Sequence, residues 1–509
     1  MVDSTPKFNL IDERWIPTRG YGLASLKDVF SSSLCLGLAG NAWQKIALFK
    51  LLLAIGQSAY TPANDKEWET LTDNHFGQKC IDYLEQHKDK FWLYGDNPFL
   101  QLPVVIGATA QSLAALIPDV AAGNTSVLQD MQRFVDQTDA QKALLLVCLS
   151  GGALGGKKTD NKFLLDKQYR GKQNDKGNPS TGKPPPWLSG GGYLHSFFVG
   201  DSVVTTVRMN LWTSQDIKKF PQFSAGLGGA PWEKMPATED CEVAKQLRAS
   251  LMGRLVPLCR FMLLDGQSLH YTEGISHLDH KDGMVDPTCA YLQAGKKLKM
   301  KWANADRRPW REITSLLSFV SSTTTNDFTC QQLAITFPRL SRLDTNVGVW
   351  SGGIQVSFKA GEQFMSGTDD VVESTTLLPS ANERNETWFV AFKFEVAELE
   401  RVLAQLRIRV SSYYKDLTNQ SSSGKAELAK AKVEKAEHAF WELIEPHFQA
   451  LVDSADNLTD MAALRKTFAS IAINVYDQSC PSDSARQIES WAKHKPNYYN
   501  YVTRQEAKK

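Results

Sequence analysis

A glycine- and lysine-rich motif directly follows an apolar run and resembles a nucleotide-binding loop. Within residues 151–159, Gly151, Gly156 and Lys157 satisfy the spacing G-x-x-x-x-G-K, in which backbone amides and a lysine hold phosphates. Lys158 stands where such a loop needs Ser or Thr to bind Mg²⁺. Two interpretations follow: a P-loop-like nucleotide-binding enzyme, or a glycine-rich segment with exposed lysines.

A pair of histidines is the best candidate for a metal site. His277 and His280 are separated by two residues, with Cys259 and Cys289 on either side. Structural zinc sites usually show close pairing in both halves, and only one half shows it here. The alternative is a pair of solvated loop histidines. We therefore predict no metal and no cofactor.

Other sequence signals of catalysis are absent. The chain contains neither G-x-S-x-G nor H-E-x-x-H, and none of its eight cysteines forms a C-x-x-C pair. Catalytic groups can converge from distant positions, so this absence only favours a protein that is not an enzyme.

Residues 156–192 form a long basic segment. It carries eight basic and three acidic residues, a net charge of +5. Lys157 and Lys158 stand near its start, Trp187 lies near its end, and Tyr193 directly follows it. Cations interleaved with aromatic rings suit a nucleic acid, so we predict non-specific phosphate contacts from Lys157 and Lys158.

A second basic segment contains lysines at alternate positions. Lys297, Lys299 and Lys301 would share one face of a strand, where their charges could follow a phosphate backbone. The alternative is an edge strand that lysines protect against aggregation. We include all three among the predicted phosphate contacts.

Three consecutive glycines follow the first basic segment. Gly190, Gly191 and Gly192 would allow the backbone to approach a ligand such as a DNA groove very closely. A flexible hinge is the alternative interpretation.

The elements that must position these residues are of mixed type. A chain of 509 residues with 42% apolar and 22% charged residues is typical of a globular protein with two or three cores. An almost wholly apolar helix is predicted over residues 43–60, a β-branched strand over 203–212 and a hairpin over 290–302. The N-terminus lacks the basic and apolar regions of a secretion signal, which predicts a cytoplasmic protein.

Helical periodicity begins near Trp388. Leu399, Val402, Leu403 and Leu406 follow the i, i+3, i+4, i+7 spacing of one helix face. Further helices are predicted over 425–452, around 461–475 and after Pro481, where Ser482 is a candidate cap. We therefore predict an α+β fold: a large mixed domain with irregular sheets and long loops over residues 1–380, then a four-helix bundle over 381–509.

Short motifs along the whole chain resemble the large subunit, or CasA family, of the type I-E CRISPR Cascade complex. The similar segments include Asn9–Asp12, Asn97–Phe99, Phe134–Gln137, Gly190–Gly192, Val204–Arg208, Tyr271–Thr272 and Gly352–Gly353. A nearby subtype of Cascade, with a scaffold subunit that does not read a motif, is the alternative within this class.

The resemblance implies a non-catalytic subunit that reads the protospacer-adjacent motif from the minor groove of double-stranded DNA. A hairpin then wedges into the duplex, and guide RNA pairs with the separated strand. The implied partners are the other Cascade subunits, the guide RNA, target DNA and a helicase–nuclease effector.

Family positions carry over onto particular residues here. The glycine loop corresponds to Ser189 and the three glycines after it, and the lysine finger to Lys281. The wedge corresponds to the segment after Gly353. Its predicted DNA contact is either Gln355 or Lys359, with Phe358 as the alternative residue that stacks or wedges. Phe134 matches a loop that contacts the guide-RNA end of the assembly.

Overall fold

The computed structural model describes most of the chain. The described residues are 5–113, 136–152, 165–166, 192–275, 277–278, 280, 283–294, 297–321, 328–340, 343, 345–355, 371–418 and 423–504. They divide into two compact units, one comprising residues 1–317 with 325–375 and the other 318–324 with 376–509. The boundary that we predict at residue 380 between independent domains stays a prediction.

The first unit contains short strands and helices in irregular alternation. Its strands are β1 (Lys7–Asn9), β2 (Ile16–Arg19), β3 (Gly22–Ala24), β4 (Gly37–Leu38), β5 (Trp92–Tyr94), β6 (Ala110–Ser112), β7 (His195–Val199), β8 (Arg260–Asp265), β9 (Ser268–Glu273), β10 (Ala290–Ala294), β11 (Lys297–Met300), β12 (Thr329–Cys330) and β13 (Gly348–Ile354), with β14 (Val371–Leu377) at its end. Its helices are α1 (Leu26–Ser31), α2 (Ala42–Ala59), α3 (Asp65–Thr70), α4 (Asp73–Gln86), α5 (Asp139–Gly151), α6 (Val203–Met209), α7 (Ser214–Lys218), α8 (Glu242–Arg248), α9 (Met252–Leu255), α10 (Ile313–Leu316) and α11 (Gln331–Leu340).

The strands form several small sheets rather than one large sheet. Their orders are β1-β5, β3-β2-β4, β6-β9-β8, β11-β10-β12 and β14-β13-β7. The predicted hairpin is confirmed, since β10 and β11 pair antiparallel with Tyr291 opposite Met300 and Ala294 opposite Lys297. Strands β7 and β13 also pair antiparallel, with Gly352 opposite His195.

Helix α2 is the buried helix that the sequence predicts. Asn41 caps its first turn through a capping box with Gln44, and most of its side chains are buried. It packs against α4, α5, α6 and α9. Because it contacts neighbours on several sides, it has no polar face.

The strand predicted over residues 203–212 is wrong. Residues Val203–Met209 form helix α6, and the Ser202 hydroxyl caps it by accepting from the Thr205 amide at 3.1 Å. All seven helical residues are buried. The serine cap and packing on several sides therefore outweigh the strand preference of the β-branched residues.

The second unit is a helical bundle. Its helices are α12 (Glu386–Thr418), α13 (Ser423–Ile444), α14 (Phe448–Ser454), α15 (Leu458–Ser479), α16 (Ala485–His494) and α17 (Tyr499–Val502). Helix α12 packs against α13, α15 and α16. A buried ion pair between Arg465 and Glu395 links α15 to α12. The predicted α+β class with a C-terminal helical region is thus confirmed.

Two details of the bundle differ from the predictions. The helix predicted over 425–452 is interrupted at a 3₁₀ turn, Glu445–His447, because Pro446 cannot donate the hydrogen bond that a continuous helix requires. Ser484 rather than Ser482 caps α16, through a capping box with Gln487. No helix among the described residues combines the length and hydropathy needed to cross a membrane.

Candidate nucleic-acid interface

Tyr193 lies where the end of the predicted glycine loop enters β7. Its side chain is only 1% exposed, and its ring packs edge-on against Trp302 with centroids 4.3 Å apart. On either side of Tyr193, the Ala303 amide donates to the Gly192 carbonyl at 2.8 Å, and the Leu194 amide donates to the Lys301 carbonyl at 2.9 Å. The end of the glycine loop is thus joined to the end of the basic hairpin.

The hydroxyl of Tyr193 reaches toward the predicted lysine finger. It lies 3.4 Å from Nδ1 of His280, and the two rings are nearly perpendicular. His280 immediately precedes Lys281, which lies outside the described residues. Tyr193 therefore connects the roots of two predicted DNA-reading elements.

The strand that leads to the predicted wedge passes over the same tyrosine. A Cβ placed on Gly353 would lie 2.5 Å from the Tyr193 carbonyl oxygen and 2.9 Å from Cβ of Ala303. Only glycine permits this approach without a shift of its neighbours. Two residues later, Oε1 of Gln355 accepts from the Ala305 amide at 2.5 Å, which fastens the root of the wedge to the same segment.

We call Gly192, Tyr193, His280, Trp302 and Gly353 the tyrosine cluster. It brings together residues next to the predicted glycine loop, the predicted lysine finger and the predicted wedge, which are separated by up to 161 positions in sequence. The predicted DNA contact by Gln355 stays a prediction.

The three lysines of the basic hairpin differ in environment. Lys297 and Lys299 are exposed on β11, as the alternating pattern predicts. Nζ of Lys301 lies 2.7 Å from Oε1 of Glu312, which also pairs with Arg307. Burial alone would raise the pKa of the Glu312 carboxyl, but the charges of Arg307 and Lys301 outweigh it and hold that pKa below its ordinary value.

A buried polar network lies behind β7. Lys50, in the middle of α2, forms an ion pair with Asp286, and both side chains are almost completely buried. Oδ1 of Asp286 accepts from the Thr288 hydroxyl at 2.7 Å, and that hydroxyl lies 2.8 Å from Nδ1 of His195. Sγ of Cys289 is 3.6 Å from the other ring nitrogen of His195. We call these five residues the buried network.

The network perturbs the titration of its members. Burial lowers the pKa of His195 to about 4, although the nearby Asp286 carboxylate opposes the shift. Burial raises the pKa of Asp286, but Lys50 and His195 outweigh it and bring that pKa below its ordinary value. His195 is therefore a neutral ring at pH 7, able to donate from Nδ1 to Thr288 and accept at Nε2 from Cys289.

His195, Asp286 and Cys289 also form a group of potential metal ligands, with ligand atoms within 4.8 Å of one another. Lys50 and Thr288 already bind the Asp286 carboxylate, so its charge is compensated without a cation. Among the described residues, this group shares only Cys289 with the metal site considered from the sequence. The two histidines of that site have other neighbours: His277 lies 2.7 Å from the Pro257 carbonyl oxygen, and His280 contacts Tyr193. That no metal binds stays a prediction.

The structural context of the G-x-x-x-x-G-K motif differs from that of a nucleotide-binding loop. A P-loop follows a strand, whereas Leu144–Leu149 lies within α5, whose last residue is Gly151. The local structure therefore does not favour the nucleotide-binding alternative.

Comparison with known proteins identifies the family. The sequence profile described as CRISPR-associated protein Cse1 matches residues 9–475. The chain belongs to this Cse1 family. The CasA resemblance drawn from the short motifs is confirmed.

Individual relatives agree with this assignment. CRISPR-associated protein CasA/Cse1 of Thermus thermophilus is 25% identical over 339 residues, which span 62% of this chain and 61% of that relative's length. The crystal structure of Thermobifida fusca Cse1 has the same fold, with a TM-score of 0.74, 17% identity and coverage of 98% of this chain and 97% of the other. A chain of a CRISPR RNA-guided surveillance complex matches with a TM-score of 0.67, 15% identity and coverage of 96% and 99%.

Several predicted site residues of this Cse1-family chain lie outside the described residues: Phe134, Lys157, Lys158, Ser189, Gly190, Gly191, Lys281, Phe358 and Lys359. Gly192 is described and adopts φ +82°, a left-handed conformation that glycine accommodates without strain. The buried network was missed by sequence reasoning. The one sequence feature that points to this network is Lys50, a charged residue within the apolar run 46–55.

Proposed function

We propose that this chain is the DNA-recognition subunit of a type I-E CRISPR surveillance complex and reads the protospacer-adjacent motif in the minor groove. The tyrosine cluster is the observation that carries the proposal. It fixes the roots of three loops whose family counterparts read the motif. Family membership and the fold shared with a chain of an RNA-guided surveillance complex support the same assignment.

The physical argument concerns rigidity. The minor groove offers a nearly degenerate pattern of donors and acceptors, so its recognition depends on the placement of a few groups and on groove width. Loops that share a packed base keep their tips at fixed separations, which lowers the entropy lost on binding. Tyr193 supplies this base through its ring, its hydroxyl and its backbone.

Strand separation would begin at the wedge. Gly353 lies in β13, which pairs with β7, so the wedge that we propose would follow directly after a strand held in a sheet. Base pairing with the guide RNA would then supply the sequence specificity. We further propose that the subunit is non-catalytic, works in the cytoplasm and helps recruit a helicase–nuclease effector.

Two substitutions test this function in the assembled complex, with the other subunits and guide RNA present. Gly191→Asp would place a carboxylate in the glycine loop, and Lys281→Ala would remove the finger. We expect each to lower the affinity for a duplex with the correct flanking motif at least tenfold. The affinity for a duplex with a mutated motif should change much less. Equal affinities for the two duplexes in wild type and variants alike would contradict motif reading.

A further inference from the structure

A pocket of about 310 Å³ lies on the first unit, away from the face of β13 that carries Gly353. It is bounded by the β2–β4 edge, the first turns of α2, the end of β7 and strands β13 and β14. Its main lining residues are Arg19, Leu36, Lys45, Phe197, Trp350 and Glu373. Its volume suits one or two amino-acid side chains.

The wall of the pocket is rigid. The rings of Phe197 and Trp350 stack with centroids 4.7 Å apart, and Phe49 stacks on the other face of Phe197 at 3.7 Å. Glu373 is held at two points, by Nζ of Lys45 at 2.7 Å and by Nε1 of Trp350 at 2.9 Å. An incoming group would therefore meet side chains that are already fixed in place.

Arg19 places a guanidinium in the pocket that no described residue neutralises. Lys45 and Glu373 neutralise each other, whereas no carboxylate of the described residues lies within ion-pair distance of Arg19. Its guanidinium lies across Gly37, where a Cβ would be 2.7 Å from Nη2. Among the described residues, the pocket thus offers one open cation beside a neutral ion pair.

The mouth of the pocket is apolar. Leu36 lines it with 48% of its surface exposed, and Leu34, two residues earlier, is 63% exposed. Two large apolar side chains exposed beside a charged pocket form the combination of apolar patch and polar anchor found at protein interfaces.

We propose that this pocket is a docking site for another protein subunit of the surveillance complex. That subunit inserts an Asp or Glu side chain toward Arg19, and a neighbouring apolar side chain of the same subunit packs on Leu34 and Leu36. The identity of the assembly rests on the proposed function. Charge complementarity determines the acidic anchor, and the exposed leucines determine its apolar neighbour. A nucleic acid fits less well, because its repeated phosphates favour a row of cations, whereas the pocket has one open cation and a leucine rim.

The test measures assembly. The chain is titrated into a complex reconstituted from the remaining subunits and guide RNA, and the Kd is compared for wild type, Arg19→Glu, Arg19→Lys and Leu36→Asp. We expect Arg19→Glu and Leu36→Asp to raise the assembly Kd at least tenfold. Arg19→Lys keeps the positive charge and should retain most of the wild-type affinity. Lys79→Glu, with the same charge change on the exposed face of α4, should bind as wild type does.

Other outcomes would overturn the docking proposal. Thermal unfolding of each variant verifies folding, since these side chains lie at the surface and should leave Tm nearly unchanged. Unchanged assembly of both Arg19→Glu and Leu36→Asp, or a loss of target-DNA affinity without a loss of assembly, would exclude a protein occupant. At concentrations that saturate assembly, each variant complex should bind duplexes with intact and mutated flanking motifs in the same affinity ratio as wild type. The assembly Kd therefore tests the docking proposal, and the affinity ratio tests motif reading independently.

Discussion

The carbonyl oxygen of Tyr193 lies only 2.5 Å from the position that a Cβ on Gly353 would occupy. Two segments that are 160 residues apart in sequence thus approach so closely that one of them must be glycine. The contact joins the residues before β7, next to the predicted glycine loop, to the end of β13, next to the predicted wedge.

Gly353→Ala should destabilise the chain by about 1–3 kcal/mol, because the added methyl group meets backbone rather than a mobile side chain. Gly229→Ala is the matched control, since its Cβ would meet only Oε2 of Glu233 at 3.9 Å. Urea unfolding measures the difference. If both variants unfold at the same urea concentration, the space between β13 and Tyr193 accommodates a methyl group, which would contradict this close approach.

Lys50→Met should cost about 3–5 kcal/mol of unfolding free energy, because it leaves the buried carboxylate of Asp286 without its partner. The double variant Lys50→Met/Asp286→Asn removes both charges and keeps an oxygen for Thr288, so it should recover most of that loss. Chemical denaturation of the three proteins provides the comparison. A double variant as unstable as the single one would show that the charge pair is not the cause.

Stability should fall as the pH decreases from about 6.5 to about 4. The unfolded state binds a proton on His195 in this range while the folded state does not, so stability rises with pH here and is lost on acidification. The shift corresponds to about 3 kcal/mol. His195→Asn, which can still donate to Thr288, should flatten the dependence by that amount, whereas His75→Asn on the exposed face of α4 should not. An unchanged pH profile in His195→Asn would refute a buried neutral ring.

The exposed lysines of β11 should contribute to the salt dependence of target binding. Replacing Lys297 and Lys299 with Ala should reduce the slope of log K against log salt by about 1.8, if each contacts one phosphate. Lys301→Ala should change the slope less, because Glu312 already holds its ammonium group. The slopes of wild type, the double variant and Lys301→Ala are measured by titrating target duplex with the assembled complex. A range of 50 to 200 mM salt is suitable, because phosphate contacts lose much of their affinity over it. An unchanged slope in the double variant would favour the alternative of an edge strand protected by lysines.

Local patterns predicted local elements well. The apolar helix α2, the β10–β11 hairpin and the helices after Trp388 follow from periodicity and turn residues within a single window of sequence. The error at α6 arose where a Ser cap and surrounding packing outweighed β-branched composition. Pro446 is a visible signal in the sequence, and it lies in the 3₁₀ turn that separates α13 from α14.

Contacts between distant segments were beyond the reach of local patterns. Lys50 and Asp286 are 236 positions apart, and no periodicity in either segment indicates that they meet. The same holds for Tyr193, which the sequence marks only as an aromatic residue directly after a basic segment. The resemblance predicts which loops carry recognition, and described residues next to those predicted loops, Gly192, His280 and Gly353, lie around this tyrosine.

Replacing Tyr193 with Phe tests whether the tyrosine cluster sets motif discrimination. The variant keeps the ring packing against Trp302 and removes the hydroxyl that faces His280. The measured quantity is the ratio of the assembled complex's affinities for target duplexes with intact and mutated flanking motifs. Tyr94→Phe, which loses a hydrogen bond to Asp139 outside the cluster, is the control.

We predict that Tyr193→Phe lowers this ratio about fivefold, because the loss of one hydrogen bond costs roughly 1 kcal/mol. Guide-dependent binding should persist, and Tyr94→Phe should leave the ratio unchanged. A Tyr193→Phe complex that discriminates between the two motifs as well as wild type would contradict the claim that the tyrosine cluster positions the DNA-reading loops.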